Sequence, residues 1–274
     1  MALPAWTCSL GRIAYEDAAR LQRSLRAARE AGAIPDTTLI LEHEPVITTG
    51  HRTELHEVAH ALTSGIPVIP TERGGKATWH GPGQIVAYPI LDLRGHGTDV
   101  RAYVCALENA VIETLADLEI AACRRAGEPG VWIAEDADAA ACVDAIGAGI
   151  VEGAPRPPQK KIASIGVRVT RWVSFHGVAL NVNCDMSGFA QFTPCGIADA
   201  RMTSVALERG VDAPSFQRVQ DRFASRLHAA LNLTCTEVPL ERLMSIAADY
   251  PVEEPSLESV ALRDASPILV GAGI

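Results

Sequence analysis

Apolar residues recur at helical spacing over residues 13–31, where Ala14, Ala18, Leu21 and Leu25 share one side and Gly32 stands where a helix would stop. The same spacing returns over 99–120 (Val104, Leu107, Val111, Leu115) and over 215–231 (Phe216, Phe223, Leu227, Leu231), which predicts three helices. Shorter runs of strand formers lie between them, at 37–42, 46–49, 66–70, 84–93, 131–133, 162–169 and 174–182. Pro89 lacks a backbone donor, so it directs the 84–93 strand to a sheet edge or a bulge. Helices bracketing several strands without strict βαβ alternation predict an α+β fold: a mixed or antiparallel sheet flanked by helices, not a doubly wound domain. No internal repeat is visible.

Composition and charge narrow the class. A chain of 274 residues can bury a full core, and no Pro/Gly-rich linker divides it, so a single domain is expected over 1–248. The net charge of −9 is unevenly spread: residues 134–159 carry −4 and residues 249–274 another −4. The first stretch, rich in Ala, Gly and Pro, reads as a mobile acidic insertion between strands, and the second as a loosely ordered tail. Nucleic-acid binding needs phosphate neutralisation, which an acidic balance opposes. Residues 160–176 nonetheless hold Lys160, Lys161, Arg168 and Arg171 with no acid, a local patch suited to an acidic protein partner. Neither a run of about 18 apolar residues nor a basic start followed by an apolar run occurs, so a soluble, cytoplasmic protein without membrane attachment is expected.

Two tracts bring in chemistry. Arg73-Gly-Gly-Lys-Ala-Thr-Trp-His-Gly-Pro-Gly-Gln84 is a glycine-rich loop whose backbone can approach and wrap an extended apolar substrate. Lys161-Ile-Ala-Ser-Ile-Gly166 supplies a lysine and, further on, Pro194-Cys-Gly-Ile197 supplies a cysteine on a turn. A cysteine beside a cation is the usual route to a usable thiolate, so the pair suggests acyl transfer through a thioester. The seven cysteines are odd in number, scattered, and include no Cys-x-x-Cys, which argues against a disulfide scaffold and a zinc ribbon. The eight histidines show no metal-ligand spacing; His80 and His176 read as hydrogen-bonding scaffold residues.

Taken together, Leu39-Ile-Leu-Glu-His43, Arg73–Gln84, Tyr88-Pro-Ile90, Gly130-Val-Trp132, Lys161–Gly166, His176-Gly-Val-Ala-Leu-Asn181 and Pro194–Ile197 resemble the motifs of the lipoyl(octanoyl) transferases, in order, from about Leu10 to Val205. The resemblance implies the fold of the biotin/lipoate protein ligases. It implies Cys195 as nucleophile, paired with Lys161. It also implies an octanoyl group passing from octanoyl-acyl carrier protein to a lysine of lipoyl domains, those of 2-oxoacid dehydrogenase E2 subunits and the glycine cleavage H protein. Substrate contacts would come from Arg73, Gly74, Gly75, Lys76, Ala77, Thr78, Trp79 and His80, then Ser164, Ile165 and Gly166, and Gly177, Val178 and Ala179. A thioester is already activated, so no ATP, metal or organic cofactor is required. Rival readings are an ATP-dependent lipoate or biotin ligase, a non-catalytic acyl-binding module and a thioesterase. The Pro-Cys-Gly turn and the retention of both Cys195 and Lys161 favour the transferase.

Overall fold

The computed structural model describes residues 2–125, 127–133, 160–194 and 200–252. The acidic insertion 134–159, the chain from 253 onwards and Cys195 lie outside the described residues. Among those described, the chain runs β1 (Leu3–Ile13), α1 (Tyr15–Glu30), β2 (Asp36–His43), β3 (Val46–Thr49), α2 (Leu55–Val58), β4 (Val68–Pro70), β5 (Thr78–His80), β6 (Gln84–Ile90) and α3 (Val100–Ala116). It continues through β7 (Ala122–Arg125), β8 (Glu128–Ile133), β9 (Lys160–Thr170), β10 (Val173–Asn181), β11 (Arg201–Met202), α4 (Val205–Arg209), α5 (Phe216–Ala230), β12 (Leu233–Glu237) and α6 (Leu240–Asp249).

A nine-stranded mixed sheet has the order β12-β1-β2-β6-β10-β9-β8-β7, with β11 pairing β9; β4-β3-β5 form a smaller sheet. β1 pairs in parallel with β12 and β2, and the ladders from β2 to β7 are antiparallel. Strand alternation divides the core. On β6, Ile85 and Ala87 face the layer formed with Leu107, Val111 and Leu115 of α3 and Phe223 and Leu227 of α5. Val86, Tyr88 and Ile90 face the opposite layer, formed with Ala18, Leu21 and Leu25 of α1 and Leu243 of α6. Both faces of β6 are covered, so its sequence reads as a continuous apolar run. Each fully buried Leu, Ile, Val or Phe among them contributes about 1.5–3 kcal/mol of transfer free energy.

The helices begin and end for local reasons. Asp99 caps α3 by accepting the N–H groups of Arg101 and Ala102, and Gly32, at φ 74°, follows α1. Pro89 corrects one expectation: it lies in a central strand, not at an edge. The β6–β10 ladder stops at Ala87–Val178 because proline offers no N–H beyond it, and Ser174 N resumes the pairing by donating to Leu91 O. His176, facing the gap, takes φ 57° and turns its N–H to Gln22 Oε1 of α1 at 2.8 Å. The Pro89 carbonyl accepts instead from Ser174 Oγ at 2.9 Å. The missing donor is therefore absorbed by the partner strand.

Candidate active site

β9, β10, β5, the turn entering β8 and the loop after β4 enclose a cavity of about 480 Å3. Arg73, Gly74, Gly75, Lys76, Ala77, Thr78, His80, Lys161, Ser164, Ile165, Gly166, Gly177, Val178 and Ala179 all line it. Two of the predicted stretches meet by direct pairing, Ser164 with Ala179, Ile165 with Val178 and Gly166 with Gly177. Trp79 is the exception. Side chains alternate along β5, so Thr78 and His80 face the cavity while Trp79 packs on Phe189 in a separate cluster, its ring centroid 5.4 Å away, and borders a second hollow.

The glycine loop is held from within. Arg73 Nη1 donates to the carbonyls of Gly74 (3.0 Å) and Lys76 (2.8 Å), and Nη2 to Thr48 O (2.7 Å) and Thr48 Oγ1 (2.9 Å). Gly74 N donates to Val167 O at 3.0 Å, laying the loop across β9. Gly166 permits this contact, because a Cβ there would stand 2.9 Å from Arg73 Cδ. Lys76 pairs with the buried Glu57 of α2, whose backbone carbonyl accepts Thr193 N.

Lys161 is 2 % exposed. Its Nζ donates to Pro129 O at 2.9 Å and stands 5.1 Å from the Trp132 ring centroid. Gly130, at φ 131°, makes room for it: a Cβ there would lie 2.5 Å from Lys161 Cε. The stretch carrying Cys195 is entered at Thr193–Pro194 and left towards β11, where Met202 pairs with Lys161 and Thr203 N donates to Lys161 O. Four of the described cysteines, Cys8, Cys105, Cys184 and Cys235, offer no poised thiolate. Burial pushes up the thiols of Cys8 and Cys105, that of Cys184 to about 12 and that of Cys235 to about 11.

Three buried histidines stand behind and beside the cavity. His80 sets Nδ1 2.7 Å from Gln84 Oε1 and Nε2 3.3 Å from Thr48 Oγ1, a scaffold arrangement, and burial holds its pKa well below 6.5. His43 meets Ile13 O with Nδ1 (3.0 Å) and Tyr88 Oη with Nε2 (2.7 Å). A carbonyl can only accept, so Nδ1 carries the proton and Tyr88 donates to Nε2. Burial lowers the His43 pKa to about 4. His176 departs from its expected scaffold role: neither ring nitrogen has a hydrogen-bond partner among the described residues, and burial lowers its pKa to about 3.

The cations expected to dock a partner are partly engaged elsewhere. Arg171 pairs with Glu30 at 2.6 Å, Lys160 lies 3.7 Å from Glu208, and neither lines the cavity. Sequence reasoning missed Tyr15, Arg52, Val86, Tyr88, Val104 and the turn Gly127-Glu128-Pro129, all on the cavity wall. The Gly-x-Pro-Gly spacing at 127–130 was a usable turn signal; Val104 was read only as a helix anchor.

The comparisons with known proteins agree with this architecture. Residues 14–228 match the family model described as the lipoyl protein ligase A/B catalytic domain. An octanoyltransferase of Mycobacterium leprae is 45% identical over 201 residues, covering 73% of this chain and 77% of its own. One from Acidothermus cellulolyticus is 44% identical over 200 residues, covering 73% and 80%. Among solved structures, the bi-partite lipoate protein ligase of Thermoplasma acidophilum superposes with a TM-score of 0.61 at 15% identity, covering 90% of this chain and 91% of that one. Lipoate-protein ligase A bound with ATP superposes at 0.57 with 15% identity, covering 91% and 94%. Those two likenesses carry the fold, which is the biotin/lipoate protein ligase-like one expected. Sequence identity carries the rest: the chain belongs to the lipoyl protein ligase A/B catalytic-domain family and, within it, to the octanoyltransferases, which are acyltransferases.

Proposed function

We propose that this enzyme moves an octanoyl group from octanoyl-acyl carrier protein to a specific lysine of a lipoyl domain, through a thioester on Cys195, in the cytoplasm. The acceptors are the lipoyl domains of 2-oxoacid dehydrogenase E2 subunits and the glycine cleavage H protein. The observation that carries the reading is a buried lysine on the wall of a cavity of about 480 Å3, beside the strand where the Cys195 segment rejoins the sheet. The burial-raised thiols of Cys8, Cys105, Cys184 and Cys235 point away from them and support Cys195.

The thiolate of Cys195 attacks the carrier thioester, and the departing phosphopantetheine thiolate takes a proton from the Lys161 ammonium. Neutral Lys161 then accepts the proton of the target lysine's amine as it attacks the acyl-cysteine, regenerating thiolate and ammonium. Ser164–Gly166, Gly177–Ala179 and the 73–78 loop would hold the acyl chain. Its six methylenes are worth roughly 5 kcal/mol at about 0.8 kcal/mol each.

The test follows the two halves apart. Octanoyl-carrier protein, without ATP, should add one hydroxylamine-labile octanoyl mass to the enzyme, and Cys195→Ala should abolish both adduct and turnover while Cys184→Ala spares them. Lys161→Arg keeps the cation that favours a Cys195 thiolate but cannot give up its proton. It should acquire some acyl group slowly, the departing thiolate drawing its proton from solvent, and should fail to pass it to the lysine acceptor, where a neutral base is required. A fully active Cys195→Ala enzyme would sink the thioester mechanism and revive an ATP-dependent ligase.

A further inference from the structure

Glu108 sits in the middle of α3, four residues after Val104 and three before Val111 on the apolar stripe, and it is 5 % exposed. Its Oε1 accepts Gly130 N at 3.0 Å, and its Oε2 accepts Arg124 Nε at 2.8 Å. The Gly130 N–H and the Pro129 C=O belong to one peptide plane, and that carbonyl accepts Lys161 Nζ at 2.9 Å. A carboxylate therefore stands at one end of a single peptide and an ammonium at the other. Hydrogen bonds at the two ends of one amide polarise each other: the carboxylate raises electron density on the carbonyl, which strengthens its hold on the ammonium. Glycine is required in the middle, since the backbone at φ 131° and the 2.5 Å approach to Lys161 Cε leave no room for a side chain.

We infer that Glu108 is a positioning residue for Lys161, acting through the Pro129–Gly130 peptide to aim the side chain and favour its protonated form. This rests on the reading of Lys161 as the proton carrier. The logic is that of a carboxylate orienting a catalytic base from behind, with a peptide group in place of a second side chain. Arg124, which also donates to Cys105 O at 3.2 Å, fixes the carboxylate from the far side. Other charges stand around the ammonium: Arg125 reaches the Trp132 ring from β7, Glu128 lies on β8, and Arg73 and Lys76 lie on the glycine loop. His176 lines the cavity from β10. All of these are unchanged by a substitution at position 108, so a difference between variants belongs to Glu108.

The experiment measures single-turnover transfer from octanoyl-enzyme to a lipoyl domain against pH. Glu108→Gln keeps an oxygen acceptor for Gly130 N–H and removes the charge. The pH midpoint of transfer should move down, because the charge at the far end of the Pro129–Gly130 peptide is gone. Glu108→Ala also removes the acceptor and should slow transfer roughly tenfold or more at neutral pH, as misplaced catalytic groups do. Glu108→Gln with Arg124→Met leaves no buried charge unpaired, and it carries the same test if the single variant folds poorly. The downward shift should persist in it. An unmoved midpoint in Glu108→Gln, or its return to wild type in the double variant, would reduce Glu108 to a counter-ion for Arg124 and overturn the inference. Lys161→Ala, run in parallel, separates the two layers. A normal transfer rate there overturns both readings, whereas a dead lysine variant beside an unmoved Glu108→Gln overturns this one alone.

Discussion

Acid should unfold this protein well before its carboxylates are protonated. His43 and His176 are held neutral by burial, at about 4 and about 3, and His80 is held well below 6.5. Their rings form one cluster, with His43 and His80 centroids 5.5 Å apart and Tyr88 bridging His43 (5.8 Å) to His176 (6.2 Å). In the unfolded chain each histidine binds a proton near pH 6.5, and in the folded chain none does until far lower. Stability from these groups is thus fully present above about pH 6.5 and is lost as pH falls towards the folded values. Each imidazole costs about 1.4 kcal/mol per pH unit in that window, so His43 and His176 cost about 3 kcal/mol per unit and roughly 4 kcal/mol by pH 5, and His80 adds to the loss in the same direction. That is a large share of a typical total stability of about 5–15 kcal/mol. The lowered carboxyls of Asp36 and Asp92 add their own loss only as pH drops through the ordinary carboxylate range. Urea unfolding at half-unit steps from pH 7.5 to 5 measures the slope. His176→Asn, which tolerates φ 57° and cannot charge, should flatten it by about one proton, or about 1.4 kcal/mol per pH unit. A wild-type slope of less than about one proton, or an unchanged slope in His176→Asn, would refute the assignment of these rings as the acid-labile element.

Two further substitutions probe the cavity's frame. Gly177→Ala places a Cβ 2.2 Å from the Ala87 carbonyl across the central ladder. It should cost about 1–3 kcal/mol or more, seen as a fall in Tm, and an unaltered melting curve would show that β10 can shift. Arg73→Lys replaces a planar fork with a point charge, leaving loop carbonyls at Gly74, Lys76 or Thr48 unpaired at about 1–3 kcal/mol each. Both Tm and donor affinity should drop, and a normal KM for octanoyl-carrier protein would mean the loop keeps its shape without the fork.

Stripes with several fully buried residues were legible. α1, α3 and α5 each carry one, and their predicted spans of 13–31, 99–120 and 215–231 exceed the observed helices by a few residues at most. β1 was not legible. It buries only Ala5 and Cys8 fully, and a register shift between Ser9 and Gly11 breaks its alternation. α6 escaped because Leu243 is its one fully buried residue. Within the site, glycine-rich and small-residue stretches pointed to the cavity because close approach needs them. The orientation of Trp79 depended on a three-residue strand too short to show a period. The burial of Glu108 follows from its place on the α3 stripe, but its role was not legible: its partners, Gly130 and Arg124, come from strands that only the folded chain brings to α3.

The inward-turned Arg73 fork has a bearing on when the enzyme meets the entropy of its own loop. Fixing a residue's backbone costs about 1–2 kcal/mol, so ordering Gly74–Lys76 alone would draw roughly 3–6 kcal/mol from any ligand that had to do it. Here the guanidinium holds those residues through the carbonyls of Gly74, Lys76 and Thr48, using bonds made when the chain folds. Donor binding then proceeds on a surface already shaped. Its calorimetric signature should be the modest heat-capacity change of a hydrocarbon chain leaving water, without the large entropic penalty of a lid that closes.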